Sequence, residues 1–138
     1  MEEGMPFFEW DSTLSVNIDE IDQQHKTLIE MINVLHESTK KEDRNIVVGE
    51  VLIKLKNYLD VHFGTEEKYM LMYDYPETQS HKTEHNDFIK EVLDFEVACS
   101  GGYAPYVPLL DFLKNWLSKH IKMTDINLGI FLAGKIKP

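Results

Sequence analysis

Residues 48–66 read VGEVLIKLKNYLDVHFGTE, and this stretch decides the fold class. Its apolar side chains recur at steps of three and four, the spacing of one face of an amphipathic helix. This face contains Val48, Val51, Leu55 and Tyr58, followed by His62 and Glu66. A helix that carries an imidazole and a carboxylate on its apolar face predicts a polar site inside the core.

Three further segments have the same periodicity, and glycine, proline and polar breakers separate them. We predict helices over about residues 18–39, 44–72, 77–99 and 106–123, after a leader of about residues 1–17. Short connections make neighbouring helices antiparallel, so the predicted fold is an all-α, up-down-up-down four-helix bundle. The 138 residues, 43% of them apolar, suit one domain over residues 1–138.

The composition argues against several partners. A formal net charge of −10 disfavours nucleic acid and anionic membranes. Cys99 is the single cysteine, which excludes an intrachain disulfide or a cysteine-based metal site and suits a reducing compartment. The longest apolar stretch, residues 126–134, is too short to cross a bilayer, and the acidic start does not resemble a signal peptide. We therefore expect a cytoplasmic protein with no membrane contact.

Histidine interrupts the apolar face of all four predicted helices. The interrupting residues are His25, His62, His81, His85 and His120. His36 falls beside the face, where we expect a solvated side chain. Burying five imidazoles and a carboxylate without partners would cost roughly 1–3 kcal/mol for each group, on the scale of the stability of a whole domain. A bound metal would supply the missing partners.

The spacing of these residues favours a shared metal site. The i,i+4 pairs His62/Glu66 and His81/His85 each place two donors about one helical turn apart on one face. The histidines lie alternately early and late along successive helices, so an up-down-up-down bundle brings them to one end. Nitrogen and oxygen donors suit iron, zinc, copper or manganese, and they are too many for one ion. The Glu-x-x-His motif of ferritin-like di-iron enzymes is absent, which leaves a histidine-rich di-iron site.

Four motifs make the chain resemble a known family. They are Ile21-Asp22-x-Gln24-His25, His62-Phe63-x-x-Glu66-Glu67, His81-x-x-x-His85-x-x-Phe88 and Trp116-Leu117-x-x-His120-Ile121-x-x-x-Asp125. Over about residues 10–125 the chain is similar to the hemerythrins, specifically their single-domain bacterial members. The resemblance implies two iron ions (Fe2+/Fe3+) with an oxo or hydroxo bridge and reversible binding of molecular oxygen.

The resemblance also implies a role for each candidate ligand. One iron would be bound by His81, His85 and His120, the other by His25 and His62, and Glu66 and Asp125 would bridge the two. Asp125 does not follow from helix geometry, because it is rotated by about 140° from His120 on an ideal helix. We expect the helix to end or distort there, and Thr124 and Gly129 suit such an exit. About eleven of the roughly twelve positions around two six-coordinate irons are then filled, which leaves one open on the iron with two histidines.

Five apolar side chains would surround that open position, according to the resemblance. They are Leu28, Phe63, Trp116, Leu117 and Ile121; without the resemblance, they could equally be ordinary core. A dry pocket without a general acid favours reversible binding over oxygen cleavage. The leading hypothesis is an oxygen-binding protein for storage, delivery or scavenging, and not an enzyme. The alternatives are a di-iron oxidase, a nitric oxide or peroxide reductase, or a sensor domain cut from a longer receptor.

Overall fold

The computed structural model describes residues 6–100 and 106–135, and of Ser100 it describes only the backbone. Helices α1 (Asp19–Ser38), α2 (Arg44–Met72) and α3 (Thr78–Ser100) are followed by three consecutive helical segments. These segments are α4 (Tyr106–Lys119), a π-helical segment (His120–Asp125) and α5 (Ile126–Ala133). Helix α1 packs against α2 and α4, and α2 packs against α3. The predicted all-α four-helix bundle is confirmed.

The core follows the apolar faces of the helices, but some positions on α2 and in the π-helical segment differ from ideal spacing. Leu52 and Leu59 are buried on α2, whereas Val51 and Tyr58 are only half-buried. Met123, which α-helical spacing would place on the same buried face as His120, is 60% exposed. Because it lies within the π-helical segment, the α-helical spacing that predicted its direction does not apply there.

The leader is packed onto the bundle and is held by side chains of α1. Asn33 accepts a hydrogen bond from the backbone N–H of Phe8 (2.8 Å) and donates one to its carbonyl oxygen (2.7 Å). The carboxylate of Asp22 accepts hydrogen bonds from the Val16 N–H (2.8 Å) and the Ser15 hydroxyl (2.6 Å). The side chains of Phe8 and Val16 are buried. The leader is therefore anchored to α1 at Asp22, near the start of the helix, and at Asn33, toward its end.

The last helix distorts after His120 and does not end there. The Ile126 N–H donates to the Ile121 carbonyl, an i→i+5 bond, and such bonds place residues five apart on nearly the same face. Our expected helix end at residue 123 was therefore wrong, since helical structure continues to Ala133. The distortion rotates Asp125 toward His120 and into the bundle, where it is buried.

Gly129 lies inside α5 and is not part of a chain exit. A Cβ atom at this position would lie 2.3 Å from the Val16 carbonyl oxygen and 3.0 Å from the Val16 Cβ. The leader can therefore contact α5 only because residue 129 has no side chain.

Among the described residues, no helix combines the length and the apolar character that a membrane span requires.

We expect Gly129→Ala to destabilise the protein by about 1–3 kcal/mol, because either the leader or α5 must move to make room for the added methyl group. Gly49→Ala is the matched control, since a Cβ at Gly49 in α2 meets nothing within 4 Å. That control should gain about 0.5–1 kcal/mol, the usual preference for alanine over glycine within a helix. Urea denaturation measures both changes. Equal stability of Gly129→Ala and the parent would contradict the close contact between the leader and α5.

Candidate metal centre

All seven side chains singled out in the sequence meet at one end of the bundle. Helix α1 contributes His25, α2 contributes His62 and Glu66, α3 contributes His81 and His85, and the π-helical segment contributes His120 and Asp125. Their possible ligand atoms form two overlapping groups, within each of which the atoms lie no more than 4.8 Å apart. One group is Glu66, His81, His85, His120 and Asp125, and the other is His25, His62, Glu66 and Asp125. The two carboxylates are common to both groups.

Glu66 divides its two oxygens between the two sets of histidines. Its Oε1 lies 3.2 Å from His81 Nε2 and 3.0 Å from His85 Nε2. Its Oε2 lies 3.8 Å from His25 Nε2 and 3.7 Å from His62 Nε2. A carboxylate held in this way can give one oxygen to each of two neighbouring ions.

Asp125 divides its oxygens in the same sense. Its Oδ1 lies 3.0 Å from both His81 Nε2 and His120 Nε2, and its Oδ2 lies 2.9 Å from His25 Nε2. Neither Asp125 oxygen has an aligned hydrogen-bond donor among the described residues, despite these short distances. Two ligand atoms about 2.1 Å from one ion and at right angles to each other would lie about 3.0 Å apart. The spacing therefore suits ligands that face a common ion better than it suits hydrogen bonds.

The unpaired polar atoms of the site give a second test of whether a metal fits. Eight buried side-chain nitrogen or oxygen atoms among the described residues have no hydrogen-bond partner, and every one belongs to the seven clustered residues. Leaving such groups unsatisfied costs roughly 1–3 kcal/mol each, which is large against the stability of a domain. Five imidazoles and two carboxylates that share two centres fit a pair of first-row transition-metal ions.

The charges in the metal-free cluster balance one another. Burial lowers the pKa of the His62 imidazole to about 4, although Glu66 opposes this shift. Burial also lowers the pKa of His81, but the adjacent carboxylates of Asp125 and Glu66 outweigh it and raise that pKa to about 9. In the same way, the carboxylates near His120 outweigh its burial and raise its pKa well above the usual range.

The two central carboxylates are held ionised. Burial raises the pKa of Glu66, but the surrounding histidines outweigh it and lower that pKa well below its usual range. The pKa of Asp125 is also lowered, because contacts with His120 and His25 outweigh burial and the neighbouring Glu66. Two carboxylates therefore face two imidazoliums, those of His81 and His120, when no metal is bound.

A second layer of side chains orients three of the histidines. The Nδ1 atoms lie close to oxygen atoms of the second layer: His62 to Gln24 Oε1 (2.8 Å), His85 to Glu67 Oε2 (3.1 Å) and His120 to Glu84 Oε1 (2.8 Å). Gln24 in turn donates to the Thr65 hydroxyl, and Thr124 donates to Glu84. With Nδ1 held by an outward partner, Nε2 is the nitrogen that points into the site and would bind a metal.

Sequence reasoning gave no role to this second layer. Gln24 and Glu67 are named residues of the quoted motifs, and Glu84 occupies an unspecified position within the motif that joins His81 to His85. The available signal was their position directly next to a candidate ligand, Gln24 before His25, Glu67 after Glu66 and Glu84 before His85. An adjacent residue is rotated by about 100° on a helix and so reaches toward a neighbouring helix, where it can meet another histidine.

Four of the five side chains proposed to surround bound oxygen are buried, namely Leu28, Phe63, Leu117 and Ile121. The Phe63 ring stacks on His85 with a centroid distance of 3.8 Å. Trp116 is only half-buried, and its ring stacks on His120 (4.4 Å) and on Phe88 (3.9 Å). Trp116 also lines a surface cavity of about 320 Å³ together with Glu84 and His120.

His36 differs from the expected solvated residue, because its side chain is 28% exposed and its ring stacks on Phe7.

This fold and site define a class, the four-helix bundles that gather histidines and two shared carboxylates around two adjacent centres. Residues 16–128 match the family model described as the hemerythrin HHE cation binding domain. The chain belongs to the hemerythrin family, and the resemblance predicted from its motifs is confirmed.

Relatives of known name cover most of the chain. A bacteriohemerythrin of Stenotrophomonas maltophilia (strain R551-3) is 36% identical over 121 residues, which are 88% of this chain and 78% of that protein. A bacteriohemerythrin of Clostridium acetobutylicum is 32% identical over 123 residues, which are 86% of this chain and 95% of that protein. A crystal structure of wild-type hemerythrin has a TM-score of 0.85 at 28% identity and covers 92% of this chain and 98% of its own. A leucine-to-alanine mutant of hemerythrin has a TM-score of 0.87 at 27% identity.

Proposed function

We propose that this protein binds molecular oxygen reversibly at a di-iron centre, for oxygen storage, delivery or scavenging. The observation that carries the proposal is the unequal division of the ligand groups: three histidines on one side of Glu66 and Asp125, and two on the other. The group with two histidines offers one donor fewer, which leaves room for a small ligand. Two bound iron ions would supply the electrons and the Lewis acidity that oxygen binding needs.

The protein's own residues hold and shield the site. His81, His85 and His120 would hold one iron, and His25 and His62 the other, with Glu66 and Asp125 across both. Gln24, Glu67 and Glu84 orient three of the imidazoles, so that each Nε2 faces the ions without reorganisation. Leu28, Phe63, Trp116, Leu117 and Ile121 form the proposed wall around the open position and exclude water from it.

A carrier role is favoured over an enzymatic one by the lack of a buried carboxyl or imidazole beyond the proposed ligands. Apart from the seven proposed ligands, no acidic or histidine side chain of the described residues is buried. Oxygen cleavage needs protons delivered to the oxygen atoms, and a general acid must lie within hydrogen-bond reach of them. A wall of apolar side chains provides none, so bound oxygen can leave unchanged.

Metal analysis and an optical spectrum test the proposed function. We expect two irons per chain after expression in iron-replete medium, because the ligand groups have two centres. The reduced protein should develop a visible absorption band on exposure to air and lose it when oxygen is removed. One iron per chain, or zinc in preference to iron, would overturn the di-iron assignment. Sustained oxygen consumption with an added electron donor would favour an enzyme.

Iron loading should release about three protons per chain near pH 7.5, two from histidines and one from the water molecule that would become the hydroxo bridge. The raised pKa values of His81 and His120 mean that both are protonated in the metal-free protein at this pH, and each must lose its proton to bind a metal. His62, with its pKa lowered to about 4, is already neutral and releases none. The release should fall as the pH rises through about 9, where His81 is already deprotonated. Anaerobic pH-stat titration with Fe2+ measures the protons, and release of only one proton per chain would contradict the imidazolium–carboxylate pairs.

A further inference from the structure

The second layer of the metal centre differs in charge between its two halves. In the group with three histidines, His85 and His120 place Nδ1 against the carboxylates of Glu67 and Glu84. In the group with two histidines, His62 faces the neutral amide of Gln24. The Nδ1 of His25 has no hydrogen-bond partner among the described residues. Two negative charges therefore support one half of the site, and none supports the other.

A carboxylate that accepts the Nδ1–H of a metal-binding imidazole makes that imidazole a stronger donor. A stronger donor stabilises the more highly charged ion, so Fe3+ gains more than Fe2+ from such a partner. An amide oxygen accepts the same proton without contributing a full charge. Thr124 donates to Glu84 (2.9 Å) and so fixes that carboxylate against His120.

We propose that Glu67 and Glu84 are positioning residues that make the iron of the three-histidine group the first to be oxidised. This inference rests on the proposed di-iron function and deepens it. The neutral Gln24 leaves the other iron, where oxygen would enter, with the higher reduction potential. Because that potential is higher, return of the second electron from bound oxygen to this iron is favourable, which helps oxygen to leave again. The charge difference of the second layer thus contributes to reversibility.

Anaerobic redox titration of the iron-loaded protein tests the proposal. Each equivalent of ferricyanide takes one electron and becomes ferrocyanide, while one Fe2+ becomes Fe3+, so the two oxidation steps can be resolved. Glu84→Gln keeps a hydrogen-bond acceptor of the same size and removes only the charge. We expect it to shift the equilibrium of the first step about tenfold toward Fe2+, which raises that potential by about 59 mV. A purely structural role for Glu84 would leave this potential unchanged.

Gln24→Glu is the complementary variant. It adds a carboxylate beside His62 and should lower the second potential by about the same amount, so both variants narrow the gap between the two steps. Glu91→Gln is the matched control for loss of a negative charge, since Glu91 is exposed on the same helix as Glu84, about two turns away. It should leave both potentials at the parent values.

Glu67→Gln makes the same change beside His85 and decides the question if Glu84→Gln fails to hold two irons. Unchanged potentials in iron-loaded Glu84→Gln and Glu67→Gln would overturn the inference. A parent protein that loads fewer than two irons, or shows no oxygen-dependent band, would instead overturn the proposed function. The two failures are therefore distinguishable.

Discussion

Glu66→Ala is expected to lose most of its bound iron, because the Glu66 side chain is a proposed bridging ligand that places one oxygen in each half of the site. Its Oε1 faces the three-histidine group and its Oε2 the two-histidine group, and the side chain is completely buried. Removing it takes one oxygen donor from each half. His62 and His85 then lose the carboxylate that faces their Nε2 atoms, whereas His25 and His81 keep Asp125. Metal affinity should fall by well over the 10–100-fold that follows loss of an outer-shell partner. Iron content after gel filtration measures the loss.

Asp125→Ala should behave similarly, since its two oxygens are divided in the same way. His36→Ala is the control, because His36 lies outside both ligand groups and stacks on Phe7. We expect that variant to keep two irons and the oxygen-dependent band. A Glu66→Ala or Asp125→Ala protein with both irons and normal oxygen binding would show that the bridge is misplaced.

Leu117→Ala is expected to bind two irons and oxygen but to autoxidise several-fold faster than the parent. Leu117 is 1% exposed and lies three residues before His120, about one helical turn away. Its truncation removes roughly three buried carbons from the proposed apolar wall and opens a path for water. When water or another proton donor reaches bound oxygen, the oxygen leaves in a reduced form. Both irons then stay oxidised, so the step is irreversible. Stopped-flow mixing with oxygen, followed by decay of the oxygenated band, measures the rate.

Leu109→Ala is the matched control for this variant. Leu109 is equally buried in α4 but lies eleven residues before His120, roughly 16 Å along the helix axis. Both substitutions should cost about 2–5 kcal/mol of stability, so loosening of the fold affects both alike. Only Leu117→Ala should increase the autoxidation rate. Equal decay rates in the two variants would remove Leu117 from the oxygen pocket.

Most of the architecture was predictable because its determinants are local in the chain. The steps of three and four between apolar residues, as in Leu52, Leu55 and Leu59, fix both a helix and its buried face. Breakers such as Pro76 fix where one helix stops, and short connections fix the antiparallel order. Once the order is known, the positions of His25, His62, His81 and His120 along their helices are enough to bring these residues to one end of the bundle.

Other features depend on how the helices are rotated and shifted against one another, which local periodicity does not specify. The π-helical segment turns Asp125 into the site and Met123 out of the core, whereas ideal α-helical spacing predicts the opposite. The pairing of Glu84 with His120 joins residues 36 positions apart on different helices. Six of the residues that could bind metal, the five histidines and Glu66, were therefore predictable from their spacing on apolar faces, whereas Asp125 depends on the π-helical segment. Tertiary packing alone decided which carboxylate oxygen faces which histidine and which imidazoles carry an anionic partner, because both depend on distances between helices.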